Sequence, residues 1–285
     1  MAVVVPAATV APAMRCLYVD LDGTLLGPGG SILHGADGRF ALDGVRALQA
    51  CSRADVEVVL YSGRRQLSVF EDSRLIGSNS YIFELGCGLV VDGELEWLTD
   101  GVVPSAERGT IYDQIEHSGA PALLLEQFPG RLEYHTPWSA KRDVSHLFRG
   151  DVDLNYVQQI LDGADLSWLR LVDNGVIGEP SEQMEGLSVI HAYHLIPAGA
   201  SKARAVARHM QARAYSVADC IAVGDSREDI QAATVVGAFW LVANALERDP
   251  GLASEIAGRP GVRIASEPYG AGVYEAVVTT LATER

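Results

Sequence analysis

The chain has 285 residues, 48% of them hydrophobic and 21% charged, with a formal net charge of -15. That size and balance predict a globular protein of two domains, or of one core with an insertion, and exclude a disordered or fibrous chain. So acidic a surface argues against nucleic acid and anionic membranes as partners, and any anion site must be built locally from a metal ion, a few Lys or Arg side chains and backbone N–H groups.

The segment Met1 to Ala13 is apolar, lacks a basic leading region and carries Pro6 and Pro12. This predicts a flexible extension over residues 1–14 and a cytoplasmic protein. Leu17-Tyr18-Val19 reads as a buried strand that ends on Asp20-Leu21-Asp22-Gly23-Thr24. Phe40 to Ser52 has helical spacing, and Val56 to Tyr61 is a second β-type run ending in Ser62-Gly63-Arg64, so a β-α-β unit is expected. A helix from Arg65 to about Leu75 and a strand at Tyr81-Ile82-Phe83 follow, then Leu89-Val90-Val91 and an Asp92-Gly93 turn.

The pattern changes between about Gly101 and Ile196. The reading there is a helix (Ser105 to Ser118), strands (Ala122 to Gln127, Arg131 to His135), a helix (Val152 to Leu161) and strands (Leu166 to Val172, Leu187 to Leu195). Past Pro197, Ser201 is a predicted N-cap for a helix from Lys202 to Ala214, and Cys220 to Val223 is a short strand ending at Gly224-Asp225. A helix (Glu228 to Val236), strands (Phe239 to Val242, Val262 to Ile264) and a closing helix (Tyr269 to Leu281) complete the series. The predicted fold is α/β: a Rossmann-like doubly wound parallel sheet over residues 15–100 and 197–285, with an inserted α+β cap over 101–196. Cys16, Cys51, Cys87 and Cys220 are far apart and form no C-x-x-C pair, so buried reduced thiols are expected in place of a zinc knuckle or a disulfide framework.

In an open parallel sheet ligands bind at the C-terminal strand ends, where Asp20, Asp22, Ser62 and Asp225 would converge, with Lys202 added from a helix. These residue types suit phosphoryl transfer. Asp20 is the candidate nucleophile and Asp22 the candidate acid/base. Asp20 and Asp225 would ligate Mg²⁺ directly, with Asp229 one turn on and the backbone carbonyl of Asp22 as further contributors. Ser62 and the N–H of Gly63 would hold phosphoryl oxygens, and Lys202 would offset remaining negative charge.

The ordered set Asp20-Leu-Asp-Gly-Thr24, Ser62-Gly63-Arg64, Ser201-Lys202 and Gly224-Asp225-Ser226-x-x-Asp229 resembles the haloacid-dehalogenase-like phosphatases, and more narrowly the Cof-type branch with a large (class IIB) cap, which includes sucrose-phosphatase-like and mannosyl-3-phosphoglycerate-phosphatase-like enzymes. The resemblance implies a hydrolase acting through an aspartyl-phosphate on a small phosphorylated metabolite, a sugar phosphate or a phosphoglycerate derivative. It implies Asp20 as nucleophile, Asp22 as acid/base, Thr24, Ser62 and Lys202 as phosphate contacts, and Asp20, Asp22 and Asp225 as magnesium ligands supported by Asp229. Two positions depart from the usual pattern: Glu84-Leu85-Gly86-Cys87 stands where relatives read Glu-Asn-Gly-Ala, and Glu228 stands in place of an Asn. In the cap, His135, Trp138, Lys141, Arg142, His146 and Arg149 form a local run of cations and an aromatic that would suit a small anionic or hydroxyl-rich ligand. His191 and His194, three apart on a predicted strand, should point to opposite faces. The rival readings are a phosphotransferase or mutase with the same first half-reaction, and a receiver-like binding module without turnover.

Overall fold

Short apolar runs separated by helical spacing are the pattern of strands buried on both faces of a parallel sheet. The structure, a computed structural model, describes residues 14–178, 184 and 186–283. Of the extension expected over residues 1–14, all but Met14 lies outside the described residues. The strands are β1 (Cys16–Val19), β2 (Glu57–Tyr61), β3 (Tyr81–Phe83), β4 (Gly88–Val91), β5 (Glu94–Trp97), β6 (Leu132–Tyr134), β7 (His146–Gly150), β8 (Leu169–Ile177), β9 (Ile190–Pro197), β10 (Cys220–Gly224), β11 (Ala238–Leu241) and β12 (Val262–Ile264). The helices are α1 (Asp43–Arg53), α2 (Gln66–Ile76), α3 (Ile111–His117), α4 (Ala120–Gln127), α5 (Leu154–Gly163), α6 (Lys202–Arg213), α7 (Arg227–Ile230), α8 (Ala243–Arg248), α9 (Leu252–Ile256) and α10 (Tyr269–Thr283).

Among the described residues the larger sheet has the order β12-β11-β10-β1-β2-β3-β4-β5, parallel from β12 to β3 and antiparallel through β4 and β5. Alternate residues of each strand go to opposite layers. Leu17, Val19, Leu60 and Val223 pack under α1, α2 and α10. Cys16, Tyr18, Val59, Tyr61 and Ala222 pack under α6 with Ala205, Val206 and Met210. Strand order reverses at β1, which lies between β10 and β2, so the loops after these three strands meet at a switch point.

The smaller sheet, β6-β7-β9-β8, is antiparallel. Its Phe148, Tyr193, Leu195 and Leu171 join Ile111, Ile115, Leu124, Val157 and Leu161 of α3, α4 and α5 in a separate core. The predicted strand Ala122 to Gln127 is instead helix α4: Pro121 occupies its first turn, and Ala120 and Leu124 pack on Ile111 and Ile115 of α3. Strand β7 was not read from sequence, because His146 and Arg149 look like part of a charged loop. In the sheet His146 shares one face with Phe148, and Arg149 shares the other with Leu147. The helix expected from Ser105 begins only at Ile111, where Thr110 and Asp113 form a reciprocal capping box. The helix expected over Glu228 to Val236 is the single turn α7 followed by a 3₁₀ turn, Gln231–Thr234, and α8 and α9 were not predicted.

Candidate active site

Chain direction places the first polar residue after each buried strand at one edge. Asp20 follows β1, Ser62 follows β2 and Asp225 follows β10. Ser201 caps α6 by accepting from Arg204 N at 3.1 Å, which fixes Lys202 in the first turn. From there the fully buried Lys202 ammonium donates to Asp20 Oδ1 and Asp229 Oδ1, both at 2.7 Å, with the Tyr61 ring centroid 4.8 Å away. Asp229 Oδ2 accepts from Ser226 Oγ at 2.7 Å, Ser226 N at 3.0 Å and Asp225 N at 3.2 Å, so the loop after β10 is wound around it. Carboxylate oxygens of Asp20, Asp225 and Asp229 lie within 4.8 Å of one another. This is a set of hard donors that could hold a divalent cation.

The three carboxylates face two cations, Lys202 and Arg248, whose Nη1 donates to Asp225 Oδ2 at 2.6 Å. One negative charge is left among largely buried side chains. Burial is the largest influence on Asp20 and raises its pKa well above the carboxylate range, with Lys202 opposing and Asp229 and Asp225 reinforcing. Burial likewise pushes Asp225 up to about 7 although Arg248 pulls it down. Burial works against the Lys202 charge too, but the carboxylates at 2.7 Å outweigh it and hold the ammonium above its usual value.

Asp22 stands apart from this cluster. Its exposed carboxylate takes a bidentate pair from Arg64, Nε at 2.7 Å and Nη2 at 2.6 Å, and Arg64 Nη1 also holds Asp72 at 2.9 Å. Thr24 is buried and its Oγ1 donates to Asp225 Oδ1 at 3.4 Å. Ser62 is buried and its Oγ accepts from Arg64 N at 3.2 Å. Gly23 has φ +87, and a Cβ there would overlap the Asp225 carboxylate and the Arg248 guanidinium, so the turn between the two aspartates requires glycine.

The small sheet lies over this edge. A Cβ at Gly63 would meet Asn174 Nδ2 at 2.9 Å and His194 Nε2 at 3.2 Å. Arg142, its side chain 5% exposed, donates to Gly63 O at 3.0 and 3.1 Å and to Ser145 Oγ at 2.9 Å, and lies 3.5 Å from Glu84. His194 Nδ1 is 3.1 Å from Ser145 Oγ. Burial, with Arg142 and Lys202 near, holds His194 far below the usual histidine value, and burial with Arg149 and Arg142 lowers His135. Both rings are therefore neutral at physiological pH. On the other side, Arg248 Nη2 donates to Val176 O, so both a loop of the core and a strand of the cap are tied to Asp225.

The structure does not bring the whole predicted cap cluster to the site. His146 points into the helix-covered layer, stacked on Tyr112 at 3.7 Å and within 3.1 Å of Tyr112 O and Tyr134 Oη. Arg149 is paired with Glu133, while Lys141 and Trp138 are exposed. His191 is paired with Asp173 and shares a face with Tyr193, away from His194. Sequence reasoning missed Arg248, Glu84, Ser145, His194 and Asn174 as groups at or over the site. A signal existed for Arg248, a base closing the first turns after a buried strand on the same sheet edge.

No family model matches the chain. It is similar to the phosphoglycolate phosphatase of Archaeoglobus fulgidus, 26% identical over 237 residues that cover 82% of this chain and 86% of that protein. It is also similar to that of Halorubrum lacusprofundi, 29% identical, with 80% and 84% covered. Among solved structures it is similar to the sucrose-phosphatase of Synechocystis in complex with sucrose and phosphate, with a TM-score of 0.64 at 14% identity over 94% of this chain and 98% of that one. A phosphatase of the haloalkanoate enzyme superfamily from Bacteroides thetaiotaomicron gives a TM-score of 0.62 at 16% identity over 97% and 98%. Both share the arrangement seen here, a parallel Rossmann-like sheet with an inserted cap.

Proposed function

We propose that this chain, which belongs to the haloacid-dehalogenase-like superfamily and carries a Cof-type cap, is a Mg²⁺-dependent phosphatase that hydrolyses a small phosphorylated metabolite through an aspartyl-phosphate on Asp20. The observation that carries the reading is the Lys202-braced group of Asp20, Asp225 and Asp229, buried at the switch point of the sheet and covered by a cap.

Mg²⁺ fits the donor set, since three hard oxygens with one uncompensated charge would accept a divalent cation and end with an excess positive charge that suits a phosphate dianion. Bound there, Mg²⁺ supplies the charge neutralisation that lets a carboxylate approach phosphorus. Lys202 orients Asp20 by holding Oδ1. Asp20 attacks phosphorus, the ester P–O bond breaks, and the alkoxide takes a proton from Asp22. Asp22 then removes a proton from the water that attacks the aspartyl-phosphate, releasing phosphate and restoring Asp20. For this Asp22 must leave Arg64, take up a proton from solvent and turn to the leaving oxygen, which makes Arg64 its resting partner. Thr24 and Ser62, with the N–H of Gly63, stand where fixed donors for phosphoryl oxygens are needed.

The closed cap favours a short substrate. The seam cavity beside Asp225, Arg248 and Gly175 is about 10 Å³, too small for a phosphate ester, and parting of the cap from the core would make room for one. Neutral His135 and His194 and the amide of Asn174 suit hydroxyl or carboxylate oxygens. Phosphoglycolate, the substrate in the names of the similar archaeal proteins, fits this reading better than a long sugar ester of the mannosyl-3-phosphoglycerate kind. The test is phosphate release from phosphoglycolate, 3-phosphoglycerate and hexose phosphates, with and without Mg²⁺, by wild type and Asp20→Asn. Turnover that survives Asp20→Asn, or that is unaffected by chelation, overturns the proposal.

A further inference from the structure

The parallel register does at the opposite end of the sheet what it does at the catalytic end. Cys16 of β1 is paired with Cys220 of β10 on one side and with Glu57 of β2 on the other, so three chemically active side chains form one row at the N-terminal strand ends. All three face the layer under α6, two turns below Lys202, and α6 lowers His209 onto the row. Ligand atoms of Cys16, Glu57 and His209 lie within 4.8 Å of one another, and Cys220 is beside Cys16 in the sheet register.

His209 is the telling residue. It is fully buried, its Nδ1 is 2.8 Å from Tyr18 Oη, and its Nε2 is buried with no hydrogen-bond partner, 3.6 Å from Glu57 Oε1. A buried unpaired ring nitrogen is costly in an otherwise well-paired core. With a cation present, the tautomer that donates Nδ1–H to Tyr18 would leave the Nε2 lone pair for the ion, between the cysteine and the carboxylate.

We propose that Cys16, His209 and Glu57 form a site for a thiophilic divalent cation, with Cys220, the register partner of Cys16, as its fourth ligand and Zn²⁺ the fitting ion, separate from the carboxylate cluster. Two sulfurs, one imidazole and one carboxylate match the ligand preference of Zn²⁺ and not that of Mg²⁺. The charges close as well: two thiolates and Glu57 against Zn²⁺ leave one negative charge, which Arg213, 3.1 Å from Glu57 Oε1, offsets. Cys16 and Asp20 are separated by four residue steps of extended chain, about 13 Å, so the two sites bind independently. The Glu57 side chain is 21% exposed and gives the ion its route in.

The experiment uses the full chain, purified under reducing conditions, stripped with a chelator and titrated with Zn²⁺ in excess Mg²⁺. One equivalent is expected to bind, with affinity kept in Asp225→Asn and weakened at least about 100-fold in His209→Ala and in Cys16→Ser. Co²⁺ added to wild type should give thiolate-to-metal charge-transfer absorption that Cys220→Ser diminishes. The Co²⁺ spectrum needs no variant and stands even if the cysteine substitutions fail to fold. Co²⁺ binding without the sulfur band, Zn²⁺ binding indifferent to His209→Ala, or loss of Zn²⁺ binding in Asp225→Asn overturns the proposal. So does a Cys16–Cys220 disulfide in protein isolated from reducing cells.

Discussion

Replacing Glu84 by Gln should detach the cap from the core without touching the carboxylate cluster. Glu84 is fully buried and sits at φ +46, followed by Leu85 at φ +58, a backbone that turns its side chain out of the core sheet and across to the cap. There Oε1 accepts from Asp143 N at 2.8 Å, and Oε2 accepts from Ser145 N at 2.5 Å and Ser145 Oγ at 2.7 Å. In the glutamine an NH₂ replaces one oxygen and must face a backbone N–H, whichever way the amide is turned. One buried donor left unpaired costs about 1–3 kcal/mol. The nearly buried Arg142, 3.5 Å away, loses its counter-charge, and breaking such a pair costs about 3–5 kcal/mol. The two penalties share atoms, so a total near 4 kcal/mol is expected. Equilibrium urea unfolding reads the total, and amide exchange at Asp143 and Ser145 should accelerate by two to three orders of magnitude, about 1.4 kcal/mol per decade. Arg142→Met added to Glu84→Gln should cost less than the two single changes summed. A loss under about 1 kcal/mol with exchange unchanged would refute the latch.

Gly23→Ala, whose Cβ would overlap Asp225 and Arg248 at φ +87, should cost about 2 kcal/mol, lower the melting temperature by about 5 °C and cut phosphate release; full stability would mean the turn can relax. Arg64→Ala removes half-exposed pairs to Asp22 and Asp72 worth about 1 kcal/mol at most, so melting should hold and, with the resting partner gone, kcat should hold or rise; a fall in kcat would mean that Arg64 acts on Asp22 during turnover. His191 is raised by its hydrogen bond to Asp173, against the opposing effect of burial, so its stabilisation is full below the ordinary value of 6.5 and is lost as pH rises through the raised folded value. The urea midpoint of wild type should therefore exceed that of His191→Gln at about pH 6 and approach it at about pH 9; an equal gap at both would refute the linkage.

The convergence of Asp20, Ser62 and Asp225 on one sheet edge was readable because each follows a short apolar run. Asp20, Ser62 and Asp225 are specified locally, and parallel pairing does the rest. What could not be read is whatever depends on pairs distant in the chain without a strand between them. Glu84 meets Ser145 across 61 positions, and Arg142 meets Gly63 across 79, and neither has a local pattern that predicts its partner. Cys16 and Cys220 are neighbours only through register, so counting their spacing pointed away from a shared site. Helix α4 was misread because Leu123-Leu124-Leu125 suits a strand as well as a helix, and Pro121 was the discriminating signal.

The same long-range pairing changes what the cap cations mean. As sequence, Arg142 and Arg149 suggest a grip on a substrate carboxylate. In the fold both guanidinium groups are committed, Arg142 to Gly63 O, Ser145 and Glu84, and Arg149 to Glu133. Arg142 thus holds the cap to the loop after β2, and the polar groups beside Gly63 that carry no charge are the His194 Nε2 edge and the Asn174 amide. On the proposed function, discrimination among phosphate esters is expected to fall on shape and hydrogen bonding at Asn174 and His194 more than on charge. A His194→Phe variant, which keeps the ring and removes its hydrogen bonds, should raise KM for the preferred ester more than for p-nitrophenyl phosphate. An equal rise for both would return the role to the cations.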